Sequence, residues 1–157
     1  MDHIDIGLHA SQVFIGGAWR AGASRETLAL TNPSTGGELA AIARGNAADI
    51  DAAVAAAHNA LDGAWGGLAA AERGRILLRI SQRVQESADE LARLEALDVG
   101  KPLSQARNDA VALARYLEFY GGAADKVMGQ TIPFANGYTA LTWREPHGVT
   151  GHIVPWN

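Results

Sequence analysis

The chain contains no cysteine among its 157 residues. That excludes disulfides, thiolate metal sites and a thiol nucleophile within it, and it suits a reducing compartment. There is no surplus of basic charge either, since 13 Lys and Arg stand against 17 Asp and Glu for a formal net charge of -4. A nucleic-acid binder would carry a clustered excess of Lys and Arg, so nucleic acid is not an expected partner. The one basic stripe, Arg75, Arg79 and Arg83, recurs every four residues on one helical face and reads as a solvated face. No apolar run approaches the roughly 18 residues of a membrane span, and residues 1–5 lack a basic leader. The expectation is a cytoplasmic protein with no membrane partner. The histidines, His3, His9, His58, His147 and His152, include no i, i+4 pair, so zinc is not expected. Repeats, low-complexity tracts and flexible linkers are also missing.

What is present is a globular composition, 48% hydrophobic and 19% charged, in a length able to bury one core. Residues 13–19 read as two short strands around Gly16-Gly17, where glycine supplies positive φ. Residues 27–31 and 38–42 form a second strand pair around Asn32-Pro33-Ser34-Thr35-Gly36-Gly37. Helical spacing follows. Asn46 is a predicted N-cap with Asp49 three residues on, and Ile50, Val54, Ala57 and Leu61 continue to a stop near Gly63. Ile76, Leu77, Ile80 and Val84 mark a second helix that breaks at Ser87. Ser87-Ala88-Asp89-Glu90 reads as a capping box opening a third, which Gly100 ends. Pro102 suits the first turn of a fourth, whose Leu103, Ala106, Ala110, Leu113, Leu117, Tyr120 and Ala124 alternate by three and four. The short run and its alanines favour packing on a domain core over a coiled coil. Beyond it, Thr139, Leu141 and Trp143 alternate with Tyr138, Ala140 and Thr142 as in a strand that Pro146 closes. Residues 149–154 read as a short apolar strand of the buried parallel type.

Three segments carry a resemblance. They are Phe14-Ile15-Gly16-Gly17-Ala18-Trp19 with the Asn32 turn, then Leu94-Glu95-Ala96-Leu97-Asp98-Val99-Gly100-Lys101-Pro102, and then Arg144-Glu145-Pro146-His147-Gly148-Val149-Thr150-Gly151-His152-Ile153-Val154-Pro155-Trp156-Asn157. In this order they resemble the aldehyde dehydrogenase superfamily over residues 13–157. Gly37 departs from the acidic residue common at its position, and the last two segments are the specific ones. The resemblance implies an α/β protein: the helix-rich amino-terminal part of an aldehyde-dehydrogenase-like fold, with short β-hairpins and the first strand of a Rossmann-like cofactor sheet. Its implied divisions are residues 1–131 for part of the cofactor-binding domain, 132–147 for an oligomerisation-arm strand and 148–157 for the first sheet strand. The catalytic domain would lie elsewhere.

The same resemblance implies a reaction in which an aldehyde substrate is oxidised to a carboxylic acid, with NAD or NADP as cofactor, through a cysteine thiohemiacetal and thioester. The cysteine is not in this chain. Asn157 would donate its amide to the oxyanion, a role for preorganised donors; read alone, it could equally be a turn or capping residue. Ile153, Val154, Pro155 and Trp156 would lie at the strand end that touches the cofactor, a place compatible with Trp156 also filling core. Gly148-Val149-Thr150-Gly151 is not a phosphate-binding fingerprint, because no helix start follows it. Asp98 would help hold a monovalent cation with backbone carbonyls; otherwise it bonds at a helix end beside Gly100 or pairs with Lys101. The parent is expected to be a homodimer or homotetramer. Two rival expectations remain: an acylating or semialdehyde-specific member of the superfamily, and a non-catalytic truncated or complementing subunit.

Overall fold

The structure, a computed structural model, describes residues 9–155. Strand β1 (Gln12–Ile15) pairs antiparallel with β2 (Ala18–Ala21), setting Phe14 opposite Trp19. Gly16 and Gly17, at φ of 63° and 81°, make the left-handed two-residue turn that matches strand twist. His9 stacks on Trp19 at 4.7 Å between ring centres. Strand β3 (Thr27–Thr31) pairs with β4 (Glu38–Ala43), with a register shift between Leu30 and Thr31. Both hairpins fall where turn chemistry predicts them.

Helix α1 (Ala47–Asp62) begins with the predicted capping box: the Asn46 side chain accepts from the Ala48 and Asp49 amides, and Asp49 accepts from the Asn46 amide. Helix α2 (Ala70–Glu86) starts with the Glu72 carboxylate accepting the Ala69 N–H at 2.9 Å. The expected capping box at Ser87 does not form. Ser87 closes α2 and opens α3 (Ala88–Val99) at once, and its N–H donates to the Arg83 carbonyl. Its near-helical backbone (φ -100°, ψ 11°) leaves the side chain without a cap bond, because the extended geometry of an N-cap is lost. Gly100 ends α3 in the left-handed region at φ 73°. Pro102 is the residue before α4 (Leu103–Ala123), one position earlier than expected, and its carbonyl accepts from Gln105 and Ala106.

The core sits where α2 and α3 pack on α4. Small residues build it: Ala88 and Ala92 from α3, Ala106, Ala110, Ala114 and Gly121 from α4, and Gly74 and Ser81 from α2. The Ser81 hydroxyl, buried, donates to the Ala114 carbonyl at 2.7 Å, so this buried polar side chain is satisfied. A Cβ on Gly74 would stand 2.4 Å from the Gly121 carbonyl oxygen, so α2 and α4 touch backbone to backbone.

The strand expected over residues 138–143 contracts to β6 (Ala140–Leu141), which pairs with an unforeseen β5 (Thr131–Ile132). Beyond β6 the Thr142 N–H donates to the Gln130 carbonyl at 2.8 Å, and the Thr142 hydroxyl accepts the Gln130 N–H at 2.7 Å. Residues 149–154, expected as a buried strand, have no ladder partner among the described residues, and Ile153 and Val154 are exposed. A strand buried on both faces needs neighbours for its amides and carbonyls. None is supplied within residues 9–155.

Candidate functional site

Two of the three motif segments meet. The Asn32 turn is fixed by its own polar groups: Asn32 Oδ1 accepts the Ser34 N–H at 2.8 Å, and the Asn32 carbonyl accepts from Gly36, itself at φ 72°. Pro33 of that turn rests on Gly100, where an added Cβ would approach Pro33 Cγ to 3.0 Å. Gly100 is thus required twice, by its left-handed φ and by this approach. Spacing alone gave no signal of the contact.

Beside it lies a cavity of about 530 Å³ between the β3–β4 hairpin and the α3–α4 pair, lined by Leu30, Leu39, Leu91, Leu94, Val99 and Leu113, with Glu95, Asp98 and Asp109 at its acidic side. Lys101 organises two of these carboxylates. Its Nζ donates to Glu95 Oε1 at 2.5 Å and Asp109 Oδ2 at 2.8 Å. The hydrogen bond to Asp109, then that to Glu95, raises the Lys101 pKa above the usual lysine value. The sequence alternative in which Lys101 pairs with Asp98 is therefore replaced by a lock between α3 and α4. Asp98 is exposed, in the last turn of α3, and forms no ion pair among the described residues. No group of three His, Cys, Asp or Glu side chains there could cage a metal. A hard cation at Asp98 would need backbone or other oxygens, which is the donor set such an ion accepts.

The third segment stands apart from that corner. Gly148, at φ 87°, and the half-buried Val149 lie against the end of α1, sharing a small depression with Ala57, Ala60, Leu61, Trp65 and Thr150. Thr150 Oγ1 and His152 Nε2 are 3.0 Å apart, so the two polar side chains on one face of the extended run satisfy each other. Ile153 and Val154 then project as an apolar edge, followed by Pro155. Trp156 and Asn157 lie outside the described residues.

Sequence reasoning missed one further polar centre. Asp49 is buried, and besides capping α1 it accepts the Ala23 N–H at 3.0 and 3.2 Å through its two oxygens, tying α1 to the loop after β2. The N3 position of the capping box was the available signal, but it revealed only half of the role.

The aldehyde dehydrogenase family model matches residues 19–157. The chain is 42% identical over 146 residues to hydroxyisobutyraldehyde dehydrogenase of Mycolicibacterium austroafricanum, covering 92% of this chain and 29% of that protein. A solved structure from Burkholderia cenocepacia superposes with a TM-score of 0.89 at 62% identity, over 91% of this chain and 30% of that one. The NAD+ complex of an aldehyde dehydrogenase from Bacillus cereus superposes with a TM-score of 0.83 at 36% identity, over 86% and 28% of the two chains. The chain thus spans under a third of the length of these relatives. Family model, relatives and fold agree, and the chain belongs to the aldehyde dehydrogenase family.

Proposed function

We propose that this chain serves as the amino-terminal part of an enzyme that oxidises an aldehyde to a carboxylic acid through a cysteine thiohemiacetal and thioester. The family match over residues 19–157, which includes the terminal signature, carries this reading. NAD or NADP, when bound, accepts the hydride. The contributions of this chain are to bind and to orient. Asn157 donates its amide N–H to the oxyanion that forms as a thiolate from elsewhere in the polypeptide adds to the carbonyl carbon. Ile153, Val154, Pro155 and Trp156 supply an apolar wall at the cofactor, in keeping with the exposed edge at Ile153 and Val154 and with the NAD+ bound by the Bacillus cereus relative. Asp98, without an ion pair among the described residues, holds a monovalent cation together with carbonyl oxygens. The parent assembles as a homodimer or homotetramer.

The deciding experiment is Asn157→Ala in the full-length protein. Loss of one oxyanion donor lowers kcat by about a hundredfold. Cofactor affinity changes little, because the amide meets full negative charge only after thiolate addition. An unchanged kcat, with hydride transfer rate-limiting, would return Asn157 to the role of a turn residue.

A further inference from the structure

We propose that Lys126 is an adduct site for small aliphatic aldehydes, whereas Lys101 is shielded from them. The relevance of this chemistry rests on the aldehyde substrate proposed above. The chain is poor in groups that aldehydes modify: it has no cysteine, and its 13 basic residues are eleven arginines and only two lysines, Lys101 and Lys126. Arginine stays protonated and offers no free amine. Lysine must give up a proton to solvent before its lone pair can add to the carbonyl carbon. The carbinolamine then loses water to give an imine, with no oxidant or reductant consumed.

The two lysines differ in exposure and in the number of carboxylates that hold them. Lys101 Nζ donates to two carboxylates, Glu95 at 2.5 Å and Asp109 at 2.8 Å, and its side chain is only 20% exposed. Both bonds favour the ammonium over the free amine, and an aldehyde must displace one of them to reach the nitrogen. Lys126 lies beyond the end of α4 with its side chain 67% exposed. Its Nζ donates to a single carboxylate among the described residues, Asp125 at 2.5 Å, which is adjacent in sequence and itself 48% exposed. Water competes well for such a surface pair, and a carbonyl has open approach to the nitrogen.

The test treats the full chain with propanal and cyanoborohydride, which fixes the imine as a propyl amine, and follows both lysines by peptide mass mapping. Lys126 should be propylated about tenfold faster than Lys101. The rates should converge in concentrated urea, and Asp109→Asn should raise the rate at Lys101 alone. Equal rates in the folded chain, a faster Lys101, or a difference that persists in urea would overturn the proposal. Labelling needs no turnover. If the full-length protein failed to oxidise aldehydes while this selectivity held, the proposed function would fall and the adduct chemistry would stand.

Discussion

Asp49 combines burial with an acidic side chain, which is costly unless the oxygens are occupied. Here they accept the Ala23 and Asn46 amides, and one short side chain both starts α1 and anchors the preceding loop. Asp49→Ala strands those donors and should lower stability by about 2 kcal/mol, read as a reduced urea midpoint of the helical signal. Asp49→Asn should cost less, because its amide oxygen can still accept. Lys101 gives a prediction with a sign in pH. Its folded pKa is raised by Asp109 and Glu95, so its contribution is complete below the unfolded lysine value of about 10.4 and lost as pH rises through the higher folded value. Melting temperatures taken across that alkaline range should fall with a component that Lys101→Met removes. A variant with an unchanged alkaline slope would sink the assignment.

At the scale of elements, α2 and α4 approach closely because glycines face each other. Gly121 and Gly122 are adjacent on α4, yet their environments are opposite. A Cβ at Gly121 meets the Gly74 carbonyl oxygen at 2.9 Å, while one at Gly122 meets nothing within 4 Å. Gly74→Ala and Gly121→Ala should each destabilise by about 2 kcal/mol through forced separation of the helices. Gly122→Ala should stabilise by about 0.5–1 kcal/mol by relieving backbone entropy. Thermal melts of the three variants decide it, and a common sign would refute the crossing. The helices and hairpins were legible in the sequence because their signals are local: the Asn46 box, the Gly16-Gly17 turn and the left-handed stop at Gly100. Ser87 misled because one residue cannot both end a helix and take an extended cap. β5 escaped notice because a two-residue strand has no period, and residues 149–154 have no ladder because pairing is a property of neighbours. In the candidate site, motif resemblance singled out Asp98, which lines the cavity, but the seating of Pro33 on Gly100 and the two-carboxylate hold on Lys101 are tertiary facts that spacing does not encode.

For the whole molecule, surface area decides the argument. The chain exposes 12029 Å², against about 7,500 Å² for a compact monomer of its mass, an excess of about 4,500 Å². Much of what is exposed is large and apolar, including Tyr116, Phe119 and Tyr120 on α4, Phe134 and Trp143 around β6, and Ile153. Patches of that extent are normally covered; the excess is of the size buried in obligate interfaces. Such a chain alone should bind a hydrophobic dye, self-associate with rising concentration and show no NAD(P)-dependent aldehyde oxidation, since it has no cysteine to act as nucleophile. Supplying the remaining two-thirds of a family polypeptide as a second chain, folded together with this one, should abolish dye binding and yield one defined species. Turnover should then appear and depend on the partner's cysteine. Light scattering and dye fluorescence read the first result, and cofactor absorbance the second. A monodisperse, dye-silent monomer of this chain alone would mean that its α4 and β6 faces are finished surfaces, and the assignment of those faces to buried contacts would be wrong.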